Sequence, residues 1–217
     1  MKKLLIFDLD GTLADTLPSI RHAINLMLSH FEYPEKSYED VRAAIGNGAL
    51  KLVERLLPEE RSLNKEILSE AFACYEKMYD TTYIEADRCY DGISEALAEL
   101  YRRGYTLAVL SNKQDTYVKP IVSNITEKGL VSLALGQREG FPRKPDPTVP
   151  CLIAKELGFS LEDCVFIGDS EVDIETAKNA GMVSVGCSWG YREREVLVEL
   201  EADFIIDKPE ELLDIFE

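Results

Sequence analysis

The segment Leu4-Leu5-Ile6-Phe7-Asp8-Leu9-Asp10-Gly11-Thr12-Leu13 places two aspartates directly after four apolar residues. Such an apolar run is typical of a buried strand. A charged group at the end of a buried strand is costly unless it is paired or bound to a metal. We therefore predict a strand whose C-terminal end presents Asp8 and Asp10 to Mg²⁺, which prefers hard oxygen ligands and often shares them with phosphate. A polar Asp-Gly turn without a metal is the alternative.

The composition argues against several kinds of partner and site. The chain has 217 residues and a formal net charge of −16, so we expect neither nucleic acid nor an anionic membrane to bind it. The apolar run before Asp8 is too short for a signal peptide, and no later run approaches a membrane span, so we expect a cytoplasmic protein. The five cysteines are scattered without C-x-x-C spacing, which is typical of reduced thiols. Two histidines, His22 and His30, are too few for a zinc site.

Short apolar runs alternate with amphipathic stretches in the second half of the chain. The runs predict strands at 105–110, 131–135, 164–167, 182–187 and 204–206. The amphipathic stretches predict helices at 93–103, 115–124, 147–157, 171–180, 193–200 and 209–216, with glycines at 104, 158 and 181 near helix C-termini. Strands that alternate with helices favour an α/β fold, in which a parallel sheet is covered by helices on both faces.

The stretch 15–87 differs from the rest because its apolar residues recur at helical spacing and it has no convincing strand. Prolines and glycines divide it into about four predicted helices. We therefore predict an α/β core domain formed by 1–14 and 88–217, with a helical domain at 15–87 inserted after the first strand. An insertion at this point suggests a lid over the two aspartates, and a subdomain that only adds bulk is the alternative.

Polar residues also follow other predicted strands. Ser111-Asn112-Lys113 follows the strand at 105–110, and Gly168-Asp169-Ser170 follows the strand at 164–167, with Asp173 one helical turn later. Lys144 lies in the stiff loop Arg143-Lys144-Pro145-Asp146-Pro147. Ligands of parallel α/β sheets bind beyond the carboxyl ends of the strands. A metal site, a hydroxyl, a lysine and a nucleophilic carboxylate in that place are what phosphoryl transfer requires.

Four segments in this order resemble the four motifs of the haloacid dehalogenase superfamily of phosphohydrolases. They are Asp8-Leu9-Asp10-Gly11-Thr12, Ser111-Asn112, Lys144-Pro145 and Gly168-Asp169-Ser170-x-x-Asp173. The resemblance implies a Rossmann-like core sheet and makes the helical insertion similar to the mobile cap of that superfamily. Ile45-Gly46-Asn47-Gly48-Ala49 and Ser111-Asn112-Lys113 are similar to the phosphoglycolate phosphatase branch.

The resemblance implies a role for each motif aspartate. Asp8 would be the nucleophile that forms an aspartyl-phosphate, which divides one difficult displacement into two easier ones. Asp10 would be the general acid and base, with its backbone carbonyl rather than its side chain on Mg²⁺. Asp169 would be a direct metal ligand, and Asp173 would bind the metal directly or orient another ligand. The predicted metal site is therefore Asp8, Asp10, Asp169 and Asp173.

The remaining motif residues would hold the phosphoryl group. Ser111, the backbone N–H of Asn112 and Lys144 would contact its oxygens, Thr12 is placed with them, and Lys144 would offset the charge of Asp8. Each has a structural alternative. Ser and Asn are common in turns, which would account for Ser111 and Asn112. Lys144 would suit a solvated loop, and Asp173 would suit the first turn of a helix. We expect Lys113 to be a surface lysine. Arg21, Lys51 and Arg55 of the helical insertion are interpreted as solvated, with contact to a substrate carboxylate as the alternative.

The predicted function is hydrolysis of a small phosphorylated metabolite with Mg²⁺ as the cofactor, phosphoglycolate being the leading substrate. A pyrophosphatase, a nucleotidase, a sugar-phosphate phosphatase and a β-phosphoglucomutase-like mutase share the four motifs and remain open. A non-enzymatic phospho-acceptor or scaffold is a more distant alternative, because all four aspartates are present. A two-component receiver domain fits less well, since its acidic pair and phospho-acceptor occur in another order. A monomer and a homodimer are both compatible with the sequence.

Overall fold

The computed structural model describes residues 3–86 and 88–216. Two compact units are present, one formed by Met1–Asp15 with Arg88–Glu217 and the other by Thr16–Asp87. The strands in chain order are β1 Leu4–Phe7, β2 Ala14–Asp15, β3 Arg88–Cys89, β4 Thr106–Gln114, β5 Val131–Gln137, β6 Cys164–Gly168, β7 Val183–Cys187 and β8 Phe204–Ile206. The helices are α1 Leu17–His30, α2 Tyr38–Ala44, α3 Ala49–Leu56, α4 Glu59–Ser62, α5 Lys65–Ala86, α6 Ile93–Arg102, α7 Asp115–Ile125, α8 Thr148–Leu157, α9 Glu171–Ala180, α10 Arg194–Glu199 and α11 Leu212–Ile215, with short 3₁₀ turns at Leu161–Asp163 and Pro209–Glu211.

The first unit is built on a parallel six-stranded sheet in the order β5-β4-β1-β6-β7-β8. β1 lies between β4 and β6, with Phe7 paired to Val109 on one side and to Ile167 on the other. The carboxyl ends of these three strands therefore meet at one edge of the sheet. The α/β class and the parallel sheet predicted from the sequence are confirmed.

Alternate side chains of the central strands pack on opposite faces of this sheet. Ile6 and Phe166 contribute to a buried cluster with Ile153 of α8 and Ala177 of α9. Leu5 and Phe7 are also fully buried but belong to the other face, since neighbouring residues of a strand point in opposite directions. Burial on both faces explains why β1 is a continuous apolar run without polar alternation.

The structure departs from the predicted elements in three places. β4 continues to Gln114 rather than ending at 110, because a register irregularity lets Gln114 pair again with Gln137. The helical unit contains five helices within its described residues rather than about four, since Glu59–Ser62 forms one extra turn. An antiparallel ribbon of β2 and β3, two residues each, was not predicted because so short a strand has no detectable period.

The second unit, Thr16–Asp87, consists of packed helices. Residues of α1 at helical spacing, Ile24 and Met27 among them, are fully buried, and α1 packs along α5. Tyr75 and Tyr79 of α5 stack with their ring centroids 5.6 Å apart. Among the residues that the structure describes, no helix combines the length and apolar character needed to cross a bilayer.

The core packing of α8 generates a stability prediction. Ile153 is fully buried, whereas its neighbour Leu152 on the same helix is 42% exposed. Ile153→Ala should lower the free energy of unfolding by about 2–5 kcal/mol, because it removes buried methyl groups and leaves a cavity. Leu152→Ala is the matched control and should cost less than about 1 kcal/mol. Urea denaturation of both variants measures the difference, and equal losses would contradict this description of the core.

Candidate active site

The two aspartates of the first motif lie where β1 ends. The N–H of Asp8 donates to Ile167 O at 2.8 Å, so Asp8 still follows the sheet and its side chain is buried. The chain then turns sharply: the N–H groups of Leu13 and Ala14 both donate to Leu9 O. Gly11 has a φ of 84°, and a Cβ at this position would overlap the Asp169 carboxylate. The turn therefore places the first motif directly against the fourth.

A buried acidic cluster is the centre of the site. One carboxylate oxygen from each of Asp8, Asp169 and Asp173 lies within 4.8 Å of the others. Lys144 is buried beside them, with its Nζ 2.8 Å from Asp8 Oδ1 and 2.6 Å from Asp173 Oδ1. The structure thus brings together residues that are up to 165 positions apart in the chain (173 − 8).

This cluster fits a divalent metal ion. Three ionised carboxylates and one ammonium carry a formal charge of −2 (−3 + 1), which a divalent cation would balance. Asp8 Oδ1 is buried and receives no hydrogen bond from the described residues, because Lys144 Nζ has hydrogen-bond geometry toward Asp173 rather than toward Asp8. Buried carboxylate oxygens are the hard ligands that Mg²⁺ prefers. The side chain of Asp10 lies outside the cluster.

The proton affinities of the cluster follow from its burial. Burial raises the pKa of Asp8 to about 7; Lys144 opposes this rise, and the charges of Asp173 and Asp10 add to it. Burial, with the charges of Asp173 and Asp8, also raises the pKa of Asp169 well above its usual range. Burial disfavours the charge of Lys144, but Asp173 and Asp8 together raise its pKa above the ordinary value. Lys144 is therefore a permanent cation, and Asp8 and Asp169 depend on further positive charge to stay ionised.

Asp173 uses its two oxygens for different tasks. Oδ2 accepts hydrogen bonds from the N–H and the hydroxyl of Ser170, at 3.1 and 2.6 Å, which caps the N-terminus of α9. Oδ1 accepts from Lys144 Nζ. From the sequence alone, a place in the acidic cluster and a place at a helix N-terminus were alternatives for Asp173. In the structure this side chain does both.

Ser111 and Asn112 lie within β4 rather than in a turn after it, and both are buried. Asn112 holds the backbone of Lys144 in both directions: its Nδ2 donates to Lys144 O at 3.1 Å, and Lys144 N donates to its Oδ1 at 2.9 Å. The Asn112 side chain therefore positions the lysine loop, a role that sequence reasoning missed. Contact of Ser111 and of the Asn112 N–H with phosphate stays a prediction.

The hydroxyl of Thr12 is fully buried and donates to Asp169 Oδ1 at 3.1 Å. In this structure the side chain thus supports a metal-ligand candidate. Phosphate binding by Thr12 stays a prediction.

Lys113 is not the surface residue that the sequence suggested. Its side chain is 7% exposed, and its Nζ lies 2.8 Å from Asp10 Oδ1. The error arose because β4 was predicted to end at Leu110. The strand continues instead to Gln114, after a register irregularity in its pairing with β5 that no local pattern in the sequence indicates.

The three cations considered in the helical insertion each have a partner within that unit. Arg21 Nε donates to Lys36 O at 3.0 Å, and Lys51 pairs with Glu54 at 2.7 Å. Arg55 donates to Ala44 O at 2.9 Å and to Asn47 Oδ1 at 2.6 Å, which braces the Gly46-Asn47-Gly48 turn. Their contacts therefore support structural roles within this unit.

Comparison with known proteins gives consistent results. A family model for haloacid dehalogenase-like hydrolases matches residues 5–187. A phosphoglycolate phosphatase of Vibrio cholerae is 33% identical over 98% of this chain and 96% of that protein. One from Haemophilus influenzae is 33% identical over 98% of this chain and 97% of that protein. The crystal structure of a predicted phosphoglycolate phosphatase from Haemophilus somnus covers all of this chain and 98% of that one, with 31% identity and a TM-score of 0.92.

The raised pKa of Asp8 makes the metal-free protein less stable as the pH rises. The folded state keeps the Asp8 proton up to a pKa of about 7, whereas the ordinary value is 3.8. Its contribution to stability is therefore complete below pH 3.8 and is lost as the pH rises through about 7. In EDTA, the free energy of unfolding of the wild type should fall more steeply than that of Asp8→Asn between about pH 5 and 7, by up to about 1.4 kcal/mol per pH unit.

Urea denaturation at several pH values measures this slope. Asp91→Asn, a change at an exposed aspartate of the same unit, is the control and should keep the wild-type slope. Equal slopes for the wild type and Asp8→Asn would contradict the raised pKa.

Proposed function

This chain belongs to the haloacid dehalogenase-like hydrolase family, and we propose that it is a Mg²⁺-dependent phosphatase that hydrolyses phosphoglycolate. The observation that carries the proposal is the buried cluster of Asp8, Asp169 and Asp173 around Lys144. It combines a carboxylate oxygen that receives no hydrogen bond from the described residues with a fixed cation and hard metal ligands. Such a set suits attack on a phosphoryl group better than a purely structural role, because a core seldom buries this much charge.

Asp8 would attack the phosphorus through its carboxylate. A bond between an Asp8 oxygen and phosphorus forms while the bond to the substrate oxygen breaks, and Asp10 gives a proton to the departing alkoxide. In the second half, Asp10 takes a proton from a water molecule, which attacks the aspartyl-phosphate and frees Asp8 and inorganic phosphate. Lys144 favours the ionised form of Asp8 against the effect of burial, and it would offset charge on the phosphoryl oxygens.

Mg²⁺ bound by Asp8, Asp169, Asp173 and the Asp10 carbonyl would supply positive charge for the phosphoryl group. The Ser111 hydroxyl, the N–H of Asn112, and Thr12 would complete its binding. Asn112 would also keep Lys144 in place through its side-chain bonds to the lysine backbone.

Phosphoglycolate is proposed as the substrate because several relatives that match 98% of this chain at 30–33% identity carry the name phosphoglycolate phosphatase. The residues of the core cluster contact the phosphoryl end, so other phosphate esters and pyrophosphate would meet the same machinery. The helical unit Thr16–Asp87 has nearly the same bounds as the insertion at 15–87 predicted from the sequence. We propose that it acts as a mobile cap that selects among these phosphorylated substrates. We further propose a cytoplasmic enzyme, monomeric or homodimeric, without a nucleic-acid partner.

Replacing the nucleophile tests the proposed function. Asp8→Asn should lower phosphate release from phosphoglycolate at least about a thousandfold, because an amide cannot form the covalent intermediate. Asp91→Asn is the control and should keep wild-type turnover. A phosphate-release assay measures both. Substantial turnover by Asp8→Asn would exclude Asp8 as the nucleophile.

The same assay identifies the substrate and the metal. EDTA should abolish turnover, because removal of the metal ion would leave the three carboxylates of the cluster without their counter-charge. Added Mg²⁺ should restore turnover. In a panel with pyrophosphate, nucleoside monophosphates and sugar phosphates, phosphoglycolate should give the highest kcat/KM. A higher value for another member would replace the proposed substrate while leaving the phosphatase mechanism in place.

The ion pair of Lys113 with Asp10 generates a further prediction. Lys113→Met should lower kcat/KM for phosphoglycolate about 10- to 100-fold, because Asp10 must be held in position to protonate a poor leaving group. p-Nitrophenyl phosphate releases a stable phenolate that needs no proton, so its kcat/KM should fall much less. kcat/KM reports the formation of the aspartyl-phosphate and not its hydrolysis, in which Asp10 would act alike for both substrates. Lys119→Met, at a lysine whose side chain is 61% exposed, is the control. Equal losses for both substrates would show that Lys113 does not act through Asp10.

A further inference from the structure

A segment outside the four motifs contacts the metal-ligand candidate Asp169. This segment, Trp189-Gly190-Tyr191-Arg192, follows β7 and lies about twenty residues after Asp169 in the chain. We propose that it is a positioning element for Asp169, and through it for the affinity of the site for a divalent cation. The inference rests on the metal site of the proposed function.

The two oxygens of Asp169 are held by two separate donors. The backbone N–H of Tyr191 donates to Oδ2 at 2.7 Å, and the Thr12 hydroxyl donates to Oδ1 at 3.1 Å. Asp169 is buried, so hydrogen bonds from fixed donors both favour its ionised form and set the direction of its carboxylate. A metal ligand is only as well oriented as the groups that hold it.

Glycine is required at position 190 because there is no room for a side chain, and not because of its backbone conformation. Its φ lies outside the left-handed region, so any residue could adopt its backbone. A Cβ at position 190 would nevertheless overlap both the Asp169 side chain and Gly11 O. The segment therefore packs directly between the carboxylate and the turn that follows β1.

Both ends of the segment are tied to the motifs. Trp189 Nε1 donates to Thr12 O at 3.1 Å, a bond between residues 177 positions apart. Arg192 pairs with Glu171, the first residue of α9, with Nε 2.8 Å from Oε2. Trp189 thus holds the residue that donates to Asp169 Oδ1, while Arg192 holds the helix that begins just after Asp169. The segment joins the first and fourth motifs around one carboxylate.

The experiment measures metal affinity with Mn²⁺ as the probe, by titration calorimetry of the full chain. Gly190→Ala should weaken binding about 10- to 100-fold, the usual effect of disturbing the groups that orient a ligand. Gly186→Ala is the matched control, because a Cβ there would press on Leu197 at 3.1 Å and not on Asp169. It should bind Mn²⁺ within about threefold of the wild type even if thermal unfolding shows a similar loss of stability.

Two further measurements keep the outcome decisive. Trp189→Phe, which removes the indole donor to Thr12, should weaken Mn²⁺ binding about 2- to 10-fold, and it decides the matter if Gly190→Ala does not fold. Trp189 is the single tryptophan of the chain, so the tryptophan fluorescence reports on this segment alone. The fluorescence should change when Mn²⁺ is added, with the same midpoint concentration as in the calorimetric titration. Wild-type affinity in folded Gly190→Ala, or in Trp189→Phe, would overturn the positioning role. Failure of the wild type to bind Mn²⁺ would overturn the proposed metal site itself.

Discussion

The structure depends on keeping three carboxylates and one ammonium together in a buried place. Burial, together with the charges of Asp173 and Asp10, raises the pKa of Asp8 to about 7 even with Lys144 beside it, so the proposed nucleophile would be about half protonated at neutral pH without a metal ion. Lys144 opposes that rise but is shared with Asp173, so a single lysine does not neutralise the cluster. The remaining negative charge suits a divalent cation, and in the proposed function that cation would help a protein of net charge −16 to bind an anionic phosphate ester.

Topology explains why these groups meet. β1 lies between β4 and β6, so residues that follow three strands far apart in sequence reach one edge of the sheet. The lysine loop belongs to no strand and needs a separate attachment, which the Asn112 side chain provides through two hydrogen bonds to the Lys144 backbone. The sheet therefore positions the aspartates, and a single amide on the neighbouring strand positions Lys144.

Much of this arrangement could be predicted from local pattern. The runs that form β1 and β6 are continuously apolar, and the acids that follow them, Asp8 and Asp169, are conspicuous because charge seldom ends a buried strand. Lys113 was misplaced because the end of β4 is set by a pairing irregularity with β5, which no local pattern records. The Trp189 segment was missed for a similar reason: its bonds to Thr12 and Asp169 join distant positions, and Trp-Gly-Tyr has no chemistry-bearing side chain of its own.

Protons and the proposed metal ion would compete for this cluster, and that competition would connect stability with function. Asp8 and Asp169 both have raised pKa values because their charges are buried together, so folding without a cation favours proton uptake. A bound divalent cation favours the ionised forms instead, which is also the state in which Asp8 can attack phosphorus. The groups that fix Asp169, namely Thr12 and the Tyr191 N–H, donate hydrogen bonds and so stabilise its charged form. The surroundings of the cluster thus offset part of the cost of burial before any metal binds, and the same contacts that orient the carboxylate also prepare it to be a ligand.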